Sequence, residues 1–144
     1  MHYRRNQLPG GTYFFTVTLA DRQSHALTEN IELLRAAFQR VMDTHPFAIV
    51  AMVVLPEHLH TIWTLPPDNA DYAGRWRAIK SAFTRDLIHA GVNLTHNAKG
   101  EYNLWQRRFW EHTLRDDNDL ARHVDYIHYN PVKHGLVSRV SAWP

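Results

Sequence analysis

Residues Phe47 to Leu55 form a nearly unbroken apolar run, and Pro56-Glu57 separates it from a second β-favouring run, His58 to Leu65. No other feature constrains the fold as much. The first run has the pattern of a central strand covered on both faces. Across so short a break, the second strand must return antiparallel to the first. An antiparallel sheet with covered faces therefore lies at the centre of the chain.

The flanking segments supply the rest of that sheet and its cover. Thr12 to Leu19 is β-branched and aromatic and follows Gly10-Gly11, which reads as a strand entered through a glycine turn. Between Thr28 and His45, the residues Ile31, Leu34, Ala37, Phe38 and Val41 recur at helical spacing, with Thr28 placed to cap the helix. Residues 71–90 repeat the pattern through Tyr72, Trp76, Ile79, Phe83 and Leu87, and Gly91 closes that helix. Residues 92–103 read as a polar loop, and Leu104 to Leu114 as a short strand or an irregular connection. Asp116 to Asp119 open a last helix with the stripe Leu120, Val124, Ile127, which Pro131 ends or kinks near Asn130. The order implies an α+β fold of split β-α-β kind, with helices packed on an antiparallel sheet.

Composition narrows the function classes. A length of 144 residues suits one domain spanning 1–144. A hydrophobic content of 44% excludes a disordered chain. There is no cysteine, so disulfides, thiol nucleophiles and thiolate zinc sites are all excluded. No apolar stretch approaches the ~18–20 residues of a membrane helix, and the N-terminus does not resemble a signal peptide. A cytoplasmic protein is expected. The net charge of +2 is too small to announce a nucleic-acid partner by itself.

Two constellations carry chemistry. On a strand, His58 and His60 share a face while Leu59 points the other way. Two imidazoles so placed can hold a divalent cation, or they can be ordinary surface histidines in a chain that has eleven. On a helix, Tyr126 and Asn130 lie one turn apart on one face. They could pair a tyrosine nucleophile with an amide ligand, or be an amphipathic tyrosine and a helix-ending asparagine.

His-hydrophobic-His on a strand with a tyrosine on a later helix resembles the HUH endonucleases, specifically the single-tyrosine transposases. Four blocks sharpen the resemblance to the branch associated with repetitive extragenic palindromes (REP). They are Tyr3-Arg4-Arg5 through Pro9-Gly10-Gly11-Thr12-Tyr13-Phe14-Phe15, then Leu55-Pro56-Glu57-His58-Leu59-His60, then Trp105-Gln106-Arg107-Arg108-Phe109-Trp110-Glu111-His112, and finally Tyr126 through Val137. The resemblance spans nearly the whole chain. It implies a ferredoxin-like core with the histidine pair on a central strand. It also implies Tyr126 as the nucleophile, and Mg²⁺ or Mn²⁺ held by His58, His60 and Asn130. The implied partner is single-stranded DNA carrying a REP hairpin, cut through a 5′-phosphotyrosine intermediate.

Arg4, Arg5, Arg107, Arg108 and Lys133 are candidate DNA contacts. Arg75, Arg77, Lys80 and Arg85 form a possible basic outer face on the second helix. Of Tyr102, Trp105 and Trp110, at least two are expected in the core rather than free to stack on bases. His112, His123, His128 and His134 are expected to be ordinary. A monomer is expected. The alternative function is a catalytically silent protein that only binds REP hairpins.

Overall fold

The computed structural model describes residues 10–100 and 102–133, with the side chains of 131–133 left out. Four strands form one antiparallel sheet: β1 (Thr12–Thr18), β2 (Ala48–Val54), β3 (His58–Thr64) and β4 (Trp110–Leu114). Their order is β2-β3-β1-β4, with every neighbouring pair antiparallel. β1 and β2 thus run parallel with β3 between them, and β3 and β4 run parallel with β1 between them. This doubled split β-α-β is the ferredoxin-like order expected.

The helices α1 (Ala26–Glu29) and α2 (Ile31–Thr44) connect β1 to β2, and α3 (Tyr72–His89) connects β3 to β4. α2 and α3 cover one face of the sheet. The strand residues Tyr13, Phe15, Val17, Leu59 and Trp63 face them and belong to the larger core. There the Trp63 and Trp76 rings stack with centroids 4.4 Å apart, and Phe47 lies 4.1 Å from Trp63. α4 (Asp117–Lys133) covers the other face, where Ile127, Leu120 and Val124 pack on Phe14, Ala51, Val53, Ile62 and Leu114. Asp116 Oδ1 caps α4 by accepting from the Asp119 N–H at 2.8 Å.

Several expectations are corrected. The apolar run around β2 is not a central strand: β2 is an edge, and Val50 at its bulge is 46% exposed. It is apolar because helices cover both of its faces. Met52 and Val54 pack with the larger core, whereas Ala51 and Val53 lie beneath α4. Hydrophobicity reports covered faces, not the number of strand neighbours.

Thr28 does not cap the long helix. It lies inside α1, its hydroxyl directed to the His25 carbonyl, and α2 begins after Asn30. At the far end of α3, Gly91 has φ +89°, and Val92 N–H reaches the Leu87 carbonyl at 3.0 Å, which closes the helix as expected. Pro131 does not end α4, which continues to Lys133. A proline within a helix removes a single backbone N–H bond, so the helix can continue past it.

Candidate active site

β3 is a central strand, and its register sets the site. Thr16 stands opposite His60 and Thr18 opposite His58, so these four side chains share the α4 face of the sheet. Leu59 points into the larger core and is fully buried. The two imidazoles are themselves buried, with ring centroids 4.9 Å apart and planes nearly perpendicular.

Each imidazole is held through Nδ1. His58 Nδ1 contacts the Glu57 carboxylate, whose other oxygen accepts from Arg22 Nε at 2.8 Å. His60 Nδ1 lies 2.8 Å from the Thr16 hydroxyl. An ionised carboxylate only accepts, so the His58 proton in this contact sits on Nδ1. Partners of this kind orient histidines that bind metals.

α4 brings the tyrosine to this pair. With the Leu120–Val124–Ile127 stripe seated on the sheet, Tyr126 projects beside it. Its ring lies edge-on to His60 at 5.2 Å and to Phe14 at 6.1 Å, and it is 37% exposed. Tyr129, three residues on, is 57% exposed. Asn130 lies one turn beyond Tyr126 and is completely buried, yet neither amide atom has a hydrogen-bond partner among the described residues. A buried amide in that state costs on the order of 1–3 kcal/mol. A cation accepting its oxygen would remove part of that cost. By donor chemistry, two imidazoles and one amide oxygen suit a divalent cation with mixed nitrogen and oxygen ligands.

A cleft of about 450 Å³ opens beside the tyrosine. Phe14, Thr16, His60, Trp110, Arg122, His123 and Tyr126 line it. Trp110 is 53% exposed and Tyr102 is exposed as well, so only Trp105 of the three aromatics packs against the core. The expectation that two would be buried fails because β4 is an edge strand, and Trp110 sits at its open end on the site face.

The candidate DNA contacts divide. Arg107 and Arg108 are exposed, three and two residues before Trp110. Arg4 and Arg5 lie outside the described residues, as do His134 and the side chain of Lys133. Arg75 is not on an outer face. It is buried and bonds the carbonyls of His45, Pro46 and Asp71 and the side chain of Asn69 at 2.9–3.1 Å. Burial lowers its pKa, and the charge of Asp71 partly offsets this. Arg77 and Arg85 are exposed, but α3 covers the opposite face of the sheet from Tyr126. Lys80 lies over the Trp105 and Phe109 rings and donates to the Gln106 carbonyl at 3.2 Å.

The family model described as IS200-like transposase matches residues 10–130. A REP-associated tyrosine transposase of Escherichia coli K12 is 50% identical over 142 residues, which cover 99% of this chain and 79% of that protein. The chain belongs to the REP-associated tyrosine transposases. A Haemophilus influenzae protein bearing the same family name is 46% identical across 99% of this chain and 82% of its own length. A solved REP-associated tyrosine transposase bound to a REP hairpin superposes with TM-score 0.88 and 49% identity, over all of this chain and 80% of that one. A transposase structure from Deinococcus radiodurans shares the fold at TM-score 0.58 and 19% identity, over 88% of this chain and 95% of that one. Membership of this transposase family places the chain among DNA-processing enzymes.

Residue types alone could not reveal Glu57 and Thr16 as partners of the histidines. Thr16 shares their face only through the β1–β3 register, and Glu57 reads as part of a turn. His123 and Arg122 meet Phe14 in the cleft for the same reason: the docking of α4 on this face of the sheet brings them together.

Proposed function

We propose that this REP-associated transposase nicks and rejoins single-stranded DNA beside a REP hairpin, with Tyr126 as nucleophile and His58, His60 and Asn130 as ligands of Mg²⁺ or Mn²⁺. The observation that carries this reading is the placement of the half-exposed Tyr126 ring against buried His60, on a helix whose next inward turn presents an unsatisfied amide.

The phenolic oxygen of Tyr126 gives up its proton to solvent and attacks the phosphorus of the scissile diester. The bond from phosphorus to the 3′-oxygen breaks, and that oxygen leaves as a free 3′-hydroxyl once it has taken a proton. The 5′-phosphate stays on Tyr126, and attack by a 3′-hydroxyl reverses the step, so the diester energy is conserved and no nucleotide cofactor is consumed. A divalent cation at this site would supply charge neutralisation at the phosphate oxygens and the leaving oxygen. The protein's own groups do the positioning. Glu57 and Thr16 hold the imidazoles, and the α4 stripe holds Tyr126 at their edge. Trp110 and Phe14 offer ring faces to unpaired bases. Arg4, Arg5, Arg107, Arg108 and Lys133 are assigned to the phosphates of the hairpin and its flank. A monomer is the proposed active form, with Tyr126 acting beside the histidines of its own chain.

A labelled oligonucleotide carrying a REP hairpin and its single-stranded flank tests this reading. With Mn²⁺ the chain should yield an upstream product ending in a 3′-hydroxyl and a covalent adduct on the 5′ end of the downstream fragment. Neither should form in EDTA or on fully duplex DNA. Tight hairpin binding with no cleavage under any divalent ion would establish the silent binding protein instead.

A further inference from the structure

Close to the cleft lies a second cluster that the proposed chemistry does not use. His112 on β4, and Asp119 and His123 one helical turn apart on α4, bring one ligand atom each to within 4.8 Å of one another. His112 Nε2 lies 3.0 Å from one carboxylate oxygen of Asp119, and His123 Nδ1 lies 3.3 Å from the other. The two imidazoles are nearly parallel, 23° apart with centroids at 5.0 Å, so both present a nitrogen edge to the same carboxylate.

We propose that His112, Asp119 and His123 form a second cation site, separate from the His58–His60 pair, which takes a borderline transition-metal ion such as Zn²⁺ and fastens the tyrosine helix to β4. Bonds of ~2.0–2.2 Å to imidazole nitrogen and carboxylate oxygen set the edge of a tetrahedron at roughly 3.3–3.5 Å. The nitrogen–oxygen separations, 3.0 Å to one carboxylate oxygen and 3.3 Å to the other, lie near that edge, and because the three ligand atoms as a set lie within 4.8 Å, the carboxylate must turn and the imidazoles close in around a shared ion. Two nitrogens and one oxygen are the donor set of an open zinc site, with a fourth position left for water.

The electrostatics agree. Metal binding requires both imidazoles deprotonated, and the one carboxylate between them then supplies a net negative charge for a cation to offset. Two other contacts would give way. Arg122 reaches Asp119 at 3.4 Å from a side chain that is 76% exposed, a bond of small worth. His123 Nδ1 also lies 2.8 Å from the Asp119 carbonyl and would exchange that partner for the ion.

The location gives the site a consequence. Among the described residues, β4 is a five-residue edge strand paired only with β1. A cation at this cluster would tie the first turns of α4 to that edge, two turns before Tyr126, and restrict the helix that carries the nucleophile.

The test uses untagged full-length protein in which His58→Ala and His60→Ala silence the other site. Zn²⁺ is titrated by calorimetry and by competition with a chromophoric chelator. One equivalent should bind and raise the melting temperature. His112→Gln or His123→Gln on that background keeps an N–H donor to Asp119, so the fold should survive while Zn²⁺ affinity falls at least tenfold. No Zn²⁺ binding in the silenced protein would overturn the proposal, and so would equal affinity in the folded glutamine variants. The readouts involve no DNA, so failure here leaves the proposed nicking chemistry standing, and failure of nicking leaves this site standing.

Discussion

Thr16→Val isolates the bond that orients His60. Valine keeps the β-branched shape, so β1 should retain its geometry and its fit in the sheet. What disappears is the 2.8 Å hydrogen bond between the Thr16 hydroxyl and His60 Nδ1. Its net contribution to stability is on the order of 0.5–1.5 kcal/mol. The ring itself should stay in place, because Phe14 stacks on it at 5.6 Å and Tyr126 abuts it at 5.2 Å. The loss is therefore of the hydrogen bond that orients the ring and not of its place in the packing. Removing such a partner from a ligating histidine typically weakens metal binding ~10–100-fold, or about 1.4–2.8 kcal/mol. Mn²⁺ affinity measured by calorimetry should fall by that factor in T16V, and cleavage should recover at raised Mn²⁺. Hairpin affinity in EDTA should not change. Unchanged Mn²⁺ affinity in a stably folded T16V protein would refute the reasoning.

Other perturbations separate structure from chemistry. Asn130→Ala removes a buried amide with no hydrogen-bond partner among the described residues, so stability measured by urea unfolding should hold or rise while Mn²⁺ affinity and cleavage fall. Arg75→Met strips four bonds from buried polar groups and should cost about 3 kcal/mol in the same assay, with hairpin affinity of the folded fraction unaltered. Removing the charges of Arg107 and Arg108 should weaken hairpin binding and flatten its salt dependence by roughly one unit of slope for each phosphate left without its cation. Burial raises the Glu111 carboxyl from 4.5 to about 7, partly opposed by a backbone hydrogen bond. A raised carboxyl means that the folded state binds the proton more tightly, so its contribution to stability is complete below the unfolded pKa and is lost as pH rises to about 7. Glu111→Gln should therefore raise the melting temperature at pH 8 and leave it nearly unchanged at pH 4.

The parts of this fold that periodicity controls were legible in the sequence. The β2–β3 pair, the shared face of His58 and His60, the apolar stripe of α4 and the glycine closure of α3 each follow from a repeat of two or of 3.6 residues. What was not legible depends on docking. The apolar run of β2 could not say whether the strand lay at the centre or the edge, because helices alone explain its two covered faces. Arg75 has the spacing of an exposed base, but the turn carbonyls of His45 and Pro46 arrive from far along the chain and enclose it. Thr16 and Glu57 became partners of the histidines only once register and turn geometry were known. His112, Asp119 and His123 read as scattered polar residues until α4 met β4.

Mass mapping of the covalent adduct addresses the central claim most directly. Wild-type protein, Tyr126→Phe and Tyr129→Phe are each incubated with Mn²⁺ and the REP-hairpin oligonucleotide, digested with nuclease and protease, and the peptides are weighed. The 5′-phosphonucleotide should sit on the peptide containing residues 123–133, with fragment ions assigning it to Tyr126. It should persist in Y129F and vanish in Y126F, whose hairpin affinity is retained. An adduct that survives Y126F, or that maps to Tyr129, would contradict the assignment and the placement of α4 against His60 on which it stands.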